Sequence, residues 1–300
     1  MEIVTLKTFL AVVESGGVLS ASKQLHTVQS NVTTRIRRLE EELGEALFIR
    51  KGRGLELAPA GRVLVKYAEQ MLQLEQQAMT AVRQVGSNSG LLRIGSMETF
   101  AAVRLPSALK CLRSSHSGLE LSVETSTSQE LLDRLLGFKL DCAFVGGPVD
   151  HPELLAEQVL LEELVLVQSR SHPHAAGTLI LFRHGCAYRE RALAWRREVG
   201  KQVGEVMQLG TLEGILGCVA VGLGCTLMPR AAVEQSRYAA EVSISSIPEH
   251  LALVPTMMVS HRKTPPLACM RTLATSLTQP ADTAAELVDG GAAEASIDVA

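Results

Sequence analysis

Aromatic residues are scarce in this chain of 300 residues, since Phe, Trp and Tyr together make up only 3%. Leu, Val, Ala and Met must therefore fill its cores, and 46% hydrophobic with 20% charged residues is an ordinary globular composition. No apolar run approaches the roughly 18 residues of a membrane-spanning helix. The amino terminus lacks the cationic segment and cleavage site of a signal peptide. We therefore expect a cytoplasmic protein without membrane contact.

Catalytic and metal-binding motifs are also missing. The six cysteines form no C-x-x-C pair and no tight ligand cluster, so we expect free thiols rather than disulfides. The G-x-S-x-G, H-E-x-x-H and P-loop motifs do not occur. Gly222-Leu223-Gly224 is not a dinucleotide fingerprint, because Leu227 stands where the third glycine belongs. These absences argue against an enzyme, a cofactor and a metal site.

Residues 18–43 predict two short helices joined by a turn at residues 25–28. The second helix, from Gln29 to Leu43, has apolar residues spaced by 4, 3 and 4, which form one face of an α-helix. Those residues are Val32, Ile36, Leu39 and Leu43. The opposite face presents hydroxyl, amide and guanidinium groups: Gln29, Ser30, Thr33, Thr34 and Arg37. Such groups contact base edges and phosphates in the DNA major groove, so this helix is a candidate recognition helix.

The charge of the amino-terminal region is concentrated rather than large. The whole chain has a formal net charge of −3, and residues 1–58 hold 8 Lys or Arg against 7 Asp or Glu. Six of those cations fall within one short span: Arg35, Arg37, Arg38, Arg50, Lys51 and Arg53. The sequence thus predicts a local basic patch and not a basic domain.

A small β-hairpin, or wing, is predicted directly after the recognition helix. Gly44 ends the helix, an apolar segment follows at 47–49, and an alternating strand follows a glycine-containing turn. Arg50, Lys51 and Arg53 are expected at the tip, where they could contact the phosphate backbone. A solvated charged hairpin is the alternative, but the position after a helix-turn-helix favours DNA contact.

A long helix is predicted from Pro59, since Pro suits a first helical turn. Its heptad a positions are Leu64, Met71, Ala78 and Val85, and its d positions are Tyr67, Leu74 and Ala81. This apolar pattern favours a coiled-coil seam about 40 Å long over an amphipathic helix packed on its own domain. We expect dimerisation, because a DNA-reading helix is usually doubled by symmetry. A flexible linker is predicted at residues 86–90.

From Leu91 onward, strands alternate with helices. This alternation predicts largely parallel sheets in two lobes, with a ligand cleft outside the strand carboxyl ends. Residues 281–300 contain acidic residues without a cation and are rich in Ala and Gly, so we expect this tail to be disordered.

Residues 12–61 resemble the head of LysR-type transcriptional regulators. The most specific matches are the run from Leu39 to Phe48 (LEEELGEALF) and Pro59-Ala60-Gly61. The resemblance implies an α-helical winged helix-turn-helix head with a long linker helix, joined to an α/β two-lobed domain like a periplasmic binding protein. It also implies a homodimer or homotetramer that binds double-stranded operator DNA and responds to a small effector. RNA polymerase is a further candidate partner.

Pattern and resemblance together predict four segments. These are a winged helix-turn-helix domain at 1–58, a linker and dimerisation helix at 59–90, an effector-binding domain at 91–280, and the tail. Within the effector-binding domain, lobe I is expected at about 91–161 and 266–280, and lobe II at about 162–265.

The family's cleft is lined from three places, and the resemblance implies the corresponding residues here: Ser96, Glu98, Thr99 and Phe100; Gly146 and Gly147; and Cys186, Tyr188, Arg189 and Thr211. Arg189 could hold a carboxylate through two hydrogen bonds, or could be a surface arginine at a helix start. Cys186 could be a redox-sensing thiol with a lowered pKa, or a buried inert cysteine. A solute carrier or an enzyme on the same two-lobed fold is the alternative from another functional class.

Overall fold

The computed structural model describes residues 1–51, 54–87, 90–172, 177–200, 205–264 and 267–278. The head, residues 1–58, contains the predicted helix-turn-helix and hairpin. Its elements are α1 (Ile3–Ser15), α2 (Val18–Gln24), α3 (Gln29–Leu43), β1 (Phe48–Lys51) and β2 (Gly54–Leu57). The bounds of α3 are those expected from the sequence, and Gly44 ends the helix in the left-handed conformation that glycine adopts without strain.

The head core explains why α3 presents a polar face outward. Val32, Ile36 and Leu39 of α3 are buried in one cluster with Leu6 and Phe9 of α1. Burying side chains of this size contributes roughly 1.5–3 kcal/mol each, which fixes the rotation of α3 about its axis. Leu43 was predicted on the same face, but it is 40% exposed because the last turn of α3 extends past this core.

The long helix α4 (Pro59–Ser87) connects the head to the rest of the chain. Its first turns belong to the head, because Leu64 and Ala68 are buried in the head core. The heptad pattern predicted Leu64 in a seam between two copies, but the side chain is buried in the head core instead. The helix also continues through Ser87 into the segment predicted as a linker, of which Asn88 and Ser89 lie outside the described residues.

The two-lobed domain begins at Gly90. Its first part contains β3 (Gly90–Ser96), α5 (Glu98–Val103), α6 (Leu105–Ser115), β4 (Leu119–Thr125), α7 (Ser128–Leu136), β5 (Cys142–Gly146) and β6 (Leu154–Ser169). Its second part contains β7 (Leu179–Leu181), α8 (Ala187–Glu198), β8 (Val206–Gln208), α9 (Leu212–Ala220), β9 (Thr226–Pro229), α10 (Arg230–Glu234), β10 (Val242–Ser245), α11 (Glu249–Ala252), β11 (Leu253–His261) and α12 (Ala268–Thr278).

The sheets are mixed rather than largely parallel. The main sheet has the order β10-β6-β11-β5-β3-β4, with β9 also paired to β6. Strand β3 is parallel to β4 and β5, and β7 is parallel to β8. Strands β6 and β11 are antiparallel to each other and to their other partners. The reason is that β6 takes the chain out of the first lobe and β11 brings it back.

Pairing also shifts the boundary between the lobes. Strand β11 pairs with β5 along Thr256–Val259, which places residues 253–261 in the sheet of lobe I. The sequence-based boundary had assigned residues up to 265 to lobe II. The carboxyl-terminal half of β6 pairs instead with β9 and β10, so lobe II comprises residues 164–252. The predicted disordered tail lies outside the described residues.

No single helix in the described ranges is long and apolar enough to cross a bilayer, and α1 and α2 reach that length only as a pair bent by 118°.

A buried carboxyl joins α4 to lobe I. Asp141 is 2% exposed and accepts hydrogen bonds from Gln77 Nε2 at 3.0 Å and from the Arg93 backbone N–H at 2.8 Å. Burial raises the pKa of Asp141, and these two donors offset that rise only in part. An ion pair between Lys139 and Glu69, at 3.0 Å, spans the same junction.

Replacing Asp141 tests this junction. A carboxyl with a raised pKa in the folded state binds more protons when folded. The stability that it contributes to the fold is therefore present at low pH. That stability is lost as pH rises from the ordinary Asp pKa through the raised one. In Asp141→Asn the side-chain oxygen can still accept from Arg93, and the amide can donate to Gln77 Oε1, which is buried without a partner. We expect this variant to melt at or above the wild-type temperature at pH 8, with a smaller advantage or a deficit at pH 4.

The control is Asp141→Ala. It leaves the Arg93 and Gln77 donors unpaired and should cost about 1–3 kcal/mol of unfolding free energy at both pH values. Thermal melts of the three proteins provide the measurement. An Asn variant that is destabilised at pH 8 as much as the Ala variant would show that the ionised carboxylate is needed.

Candidate DNA-reading surface and inter-lobe cleft

The outward face of α3 is fully available to a partner. Gln29, Ser30, Thr33, Thr34 and Arg37 are all exposed. The Thr33 hydroxyl donates to the Gln29 carbonyl at 3.0 Å, which fixes its orientation and leaves its lone pairs outward. The structure therefore brings together on one helix face the side chains predicted to contact base edges.

The start of α3 was not singled out from the sequence. Val28 is the N-cap residue, makes no side-chain capping bond and is 60% exposed. First-turn backbone N–H groups without a side-chain cap are available to phosphate oxygens, and an exposed aliphatic group can contact a thymine methyl. The signal in the sequence was the lack of Ser, Thr, Asp or Asn directly before this helix.

The basic patch is smaller than predicted. Arg35 is half-buried, and its Nη1 donates to Thr8 Oγ1 of α1 at 3.2 Å, so it stabilises the head instead of facing outward. Arg50 on β1 is exposed at the expected hairpin. The side chain of Lys51 and all of Arg53 lie outside the described residues.

Glu40 connects the recognition helix to the hairpin. Its Oε1 accepts from the backbone N–H groups of Leu47, at 2.8 Å, and of Phe48, at 3.3 Å. The position of β1 relative to α3 is thereby fixed by a charge-assisted contact. In the sequence, Glu40 stands out only as part of the LEEELG match to the family, which does not reveal this role.

An exposed apolar stripe follows α4. Tyr67 is 58% and Leu74 54% exposed, and Met71 and Ala78 on the same side of the helix are also exposed. Val63 and Val82, which are 61% and 73% exposed, extend this side in both directions. We call these six residues the α4 stripe. The side chains of Ala81 and Val85, which the predicted seam also included, lie outside the described part of the chain.

A cleft opens between the two lobes, with a cavity volume of about 50 Å³. Its walls come from the start of α5, the β4–α7 connection, and the β7–α8 connection. The lining residues are Met97, Glu98, Thr99, Thr125, Ser126, Thr127, Ser128, Phe182, Arg183, Cys186, Tyr188 and Gly210. The cleft thus lies where strands β3, β4 and β7 end, as the rule for α/β proteins predicts.

Four of the predicted effector residues line this cleft: Glu98, Thr99, Cys186 and Tyr188. Ser96 does not, because it is fully buried and its hydroxyl donates to the Met97 carbonyl. Phe100 is also buried, and its ring stacks on that of Phe144 at 4.6 Å.

The remaining predicted residues have structural roles at the edge of the cleft. A Cβ on Gly146 would lie 3.0 Å from the Ala187 Cβ, so this glycine allows lobe II to approach lobe I. Gly147 has a positive φ of 89° and donates its N–H to the Pro255 carbonyl. Arg189 Nη1 donates to the Phe182 carbonyl at 2.9 Å. Thr211 caps α9 by accepting from the Gly214 N–H.

Residues 125–128, Phe182, Arg183 and Gly210 were missed. Thr127 and Glu130 have the spacing of a capping box at a helix start, and Thr127 Oγ1 accepts from the Glu130 N–H. A helix start after a strand that ends at the cleft could have pointed to this wall. Arg183 could not have been found by spacing, because the course of the β7–α8 connection depends on tertiary packing.

Two buried hydroxyls lie next to each other in the cleft. Tyr188 is 2% and Thr99 3% exposed, and the Thr99 hydroxyl is a weak hydrogen-bond partner of Tyr188 Oη, without a close hydrogen bond to either oxygen. Burial raises the pKa of Tyr188 far above its ordinary value, a rise that the Thr99 hydroxyl offsets only in part. Tyr188 is therefore a neutral donor at any physiological pH. The weak mutual contact leaves both hydroxyls with hydrogen-bonding capacity that a ligand could use.

Comparison with known proteins decides the family. Residues 3–62 match the model of the bacterial regulatory helix-turn-helix protein, lysR family, and residues 86–281 match the LysR substrate binding domain. The chain belongs to the LysR family of transcriptional regulators. Like the family, it combines a DNA-binding head with an effector-binding domain, and it is a DNA-binding transcription regulator.

LysR-family relatives cover nearly the whole chain. The regulator GltR of Bacillus subtilis is 36% identical over 271 residues, which are 88% of this chain and 92% of GltR. YofA of the same organism is 38% identical over 251 residues, covering 83% of this chain and 88% of YofA. The regulator SoxR of an Arthrobacter strain is 36% identical, covering 87% and 91%.

Solved LysR-family structures share the fold. Full-length CbnR in complex with its target DNA aligns with a TM-score of 0.69 at 20% identity, covering 92% of this chain and 99% of CbnR. A full-length OxyR variant from Pseudomonas aeruginosa aligns with a TM-score of 0.68 at 21% identity, covering 92% and 94%.

The environment of Cys186 in this LysR-family domain separates its two alternative interpretations. A redox-sensing thiol would have a lowered pKa beside the helix start and Arg189. Instead Cys186 is 9% exposed, and its burial raises the pKa above the usual thiol value despite backbone N–H groups nearby. A raised pKa keeps the sulfur protonated and unreactive, which favours the alternative of a buried inert cysteine. None of the six cysteines is in a disulfide.

Proposed function

We propose that this LysR-family chain acts in the cytoplasm as a homodimer or homotetramer that binds a dyad-symmetric operator and changes its DNA geometry when an effector binds. Base edges are contacted by Gln29, Ser30, Thr33 and Thr34. Phosphates are contacted by Arg37, Arg50, Lys51 and Arg53. The observation that supports this assignment is the exposed polar face of α3, whose opposite face is locked in the head core.

The α4 stripe is the proposed contact between two copies. Six exposed apolar side chains on one side of a helix form a larger patch than single scattered residues, and such patches mark interaction surfaces. The stripe begins directly outside the head, so pairing through it would set the distance between two α3 helices. The effector then binds between the lobes, in the cleft lined by Glu98, Thr99, Cys186 and Tyr188. RNA polymerase is the proposed partner of the DNA-bound form.

Salt dependence of operator binding tests the phosphate role of Arg37. Arg37→Ala should weaken binding to specific and unrelated DNA alike and should lower the slope of log K against log salt by about 0.9 for each phosphate that is no longer neutralised. Fluorescence anisotropy with a promoter fragment at several salt concentrations provides the measurement. Arg197→Ala, an exposed cation on α8 far from the head, is the control and should leave the slope unchanged.

Thr34→Ala separates base contact from phosphate contact. It should reduce the preference for the operator over unrelated DNA by about 1–3 kcal/mol while keeping the salt slope. If purified protein leaves no footprint on DNA near its own gene at moderate salt, the proposed operator binding fails.

A further inference from the structure

The cleft between the lobes is lined by one acidic and one basic side chain among its described residues. These are Glu98, at the start of α5, and Arg183, in the β7–α8 connection. All other lining side chains are uncharged. A simple anion would leave Glu98 facing a like charge, and a simple cation would do the same for Arg183. Uncompensated charge in a partly closed cleft is costly, so the lining favours a ligand that has both charges.

The wall formed by α7 offers donors to the negative end of such a ligand, and the Glu130 carboxylate of its first turn, which lies near Arg183, is held by the Ser126 hydroxyl. Thr127 and Ser128 place hydroxyls at the start of this nine-residue helix, where the helix dipole favours an anion. The Gln129 N–H donates at 3.2 Å to the carbonyl oxygen of Gly185, which belongs to lobe II. A carbonyl from the opposite lobe thus occupies a position suited to a carboxylate oxygen, and a carboxylate would be the stronger acceptor.

The two buried hydroxyls add uncharged polar groups to the same cleft. Tyr188 Oη and Thr99 Oγ1 are neighbours with only a weak mutual contact, and both residues line the cleft. Two hydroxyls have more donor and acceptor capacity than this contact uses, so a polar ligand in the cleft could pair with the remainder.

We propose that the effector is a small zwitterion of the amino-acid class, with a carboxylate at the α7 start and Arg183 and a protonated amine at Glu98. This inference rests on the proposed function, because it names the ligand class of the same cleft. The carboxylate displaces the Gly185 carbonyl from the Gln129 N–H, so binding changes the contact between the lobes. Cys186 and Phe182 form the uncharged part of the wall.

The test is a thermal-shift screen of the full-length protein with the twenty common amino acids. Each amino acid that raises the melting temperature is compared with its deaminated acid and its decarboxylated amine, which keep one charge each. We expect at least one amino acid to stabilise the protein by mass action and both of its single-charge analogues to have little effect. Glu98→Gln should weaken binding of that amino acid about tenfold or more, because the amine no longer meets a carboxylate, and should improve binding of the deaminated acid.

Glu241→Gln is the matched control. Glu241 is an exposed carboxylate of lobe II outside the cleft lining, so affinities should not change. A response to the deaminated acid equal to that of the amino acid, or no response to any amino acid, overturns the zwitterion class. Operator binding is measured in the same preparation without any ligand. Its loss would count against the proposed function, whereas a normal footprint with a different ligand class would count only against this inference.

Discussion

Replacing Tyr67 and Leu74 with glutamate is expected to convert the protein to monomers and to lower operator affinity by about 10²- to 10⁴-fold. Both side chains lie in the α4 stripe and are more than half exposed in the single chain. Burying an apolar side chain of this size contributes roughly 1.5–3 kcal/mol, and a symmetric interface buries each one twice. Glutamates at these positions would place like charges opposite one another. Without pairing, the second head no longer binds as a tethered neighbour, and the gain from effective concentration disappears.

Gln76→Glu provides the control for this prediction. Gln76 lies on the opposite side of α4, since nine residues from Tyr67 correspond to half a turn beyond two full turns. The Gln76→Glu substitution introduces a negative charge into the same helix and should leave the mass of the oligomer unchanged. Light scattering after size-exclusion chromatography gives the mass, and gel shifts with a full and a half operator give the affinities. A double variant with wild-type mass and wild-type operator affinity would show that copies associate through another surface.

The sequence predicted α3 well because three independent signals coincide there. Val32, Ile36 and Leu39 repeat with helical spacing, polar groups suited to DNA contact occupy the other face, and Gly44 marks the end. Local signals were misleading where tertiary structure decides. The heptad pattern includes Leu64 without a break, yet this residue is buried in the head core. An apolar period predicts that a side chain is buried but not which partner buries it. The amino-terminal half of β6 is not predictable from a strand period, because most of its side chains are exposed.

In the cleft, too, some features follow from local sequence and others only from tertiary packing. Tyr188 and Cys186, which the family resemblance implied, line the cleft because they lie at the start of a helix that follows a strand. The direction of the neighbouring Arg189 was not predictable, since its guanidinium is fixed by the Phe182 carbonyl of a separate segment. The pKa of Cys186 depends on burial by both lobes, and this burial outweighs the local helix start. The resemblance therefore indicated the wall of the site, whereas packing determines which side chains line the cleft.

Gly61→Ala is expected to unfold the head at temperatures at which the effector domain remains folded. Gly61 is in the first turns of α4, and a Cβ there would lie 2.2 Å from the Leu47 carbonyl oxygen and 2.8 Å from Leu57 Cδ2. The same carbonyl accepts from the Ala58 N–H at 2.9 Å. The nearest atom is backbone, so relief requires moving β1 or α4. Overpacking of this kind costs about 1–3 kcal/mol or more and would also displace the hairpin from the DNA.

The sign of this effect is decisive. Alanine is the better helix former by roughly 0.5–1 kcal/mol, so Gly61→Ala would stabilise the head if α4 were loosely packed against β1 and β2. Gly17→Ala is the control, because a Cβ at Gly17 meets nothing within 4 Å. Its cost comes from replacing the glycine N-cap of α2 by the poorer cap alanine, which does not involve the contact between α4 and the hairpin. Hydrogen exchange of head amides and operator binding are compared for the two variants. Faster exchange and weaker binding in the Gly61 variant alone would establish that close contact between α4 and the hairpin positions the DNA-reading surface, whereas slower exchange would contradict it.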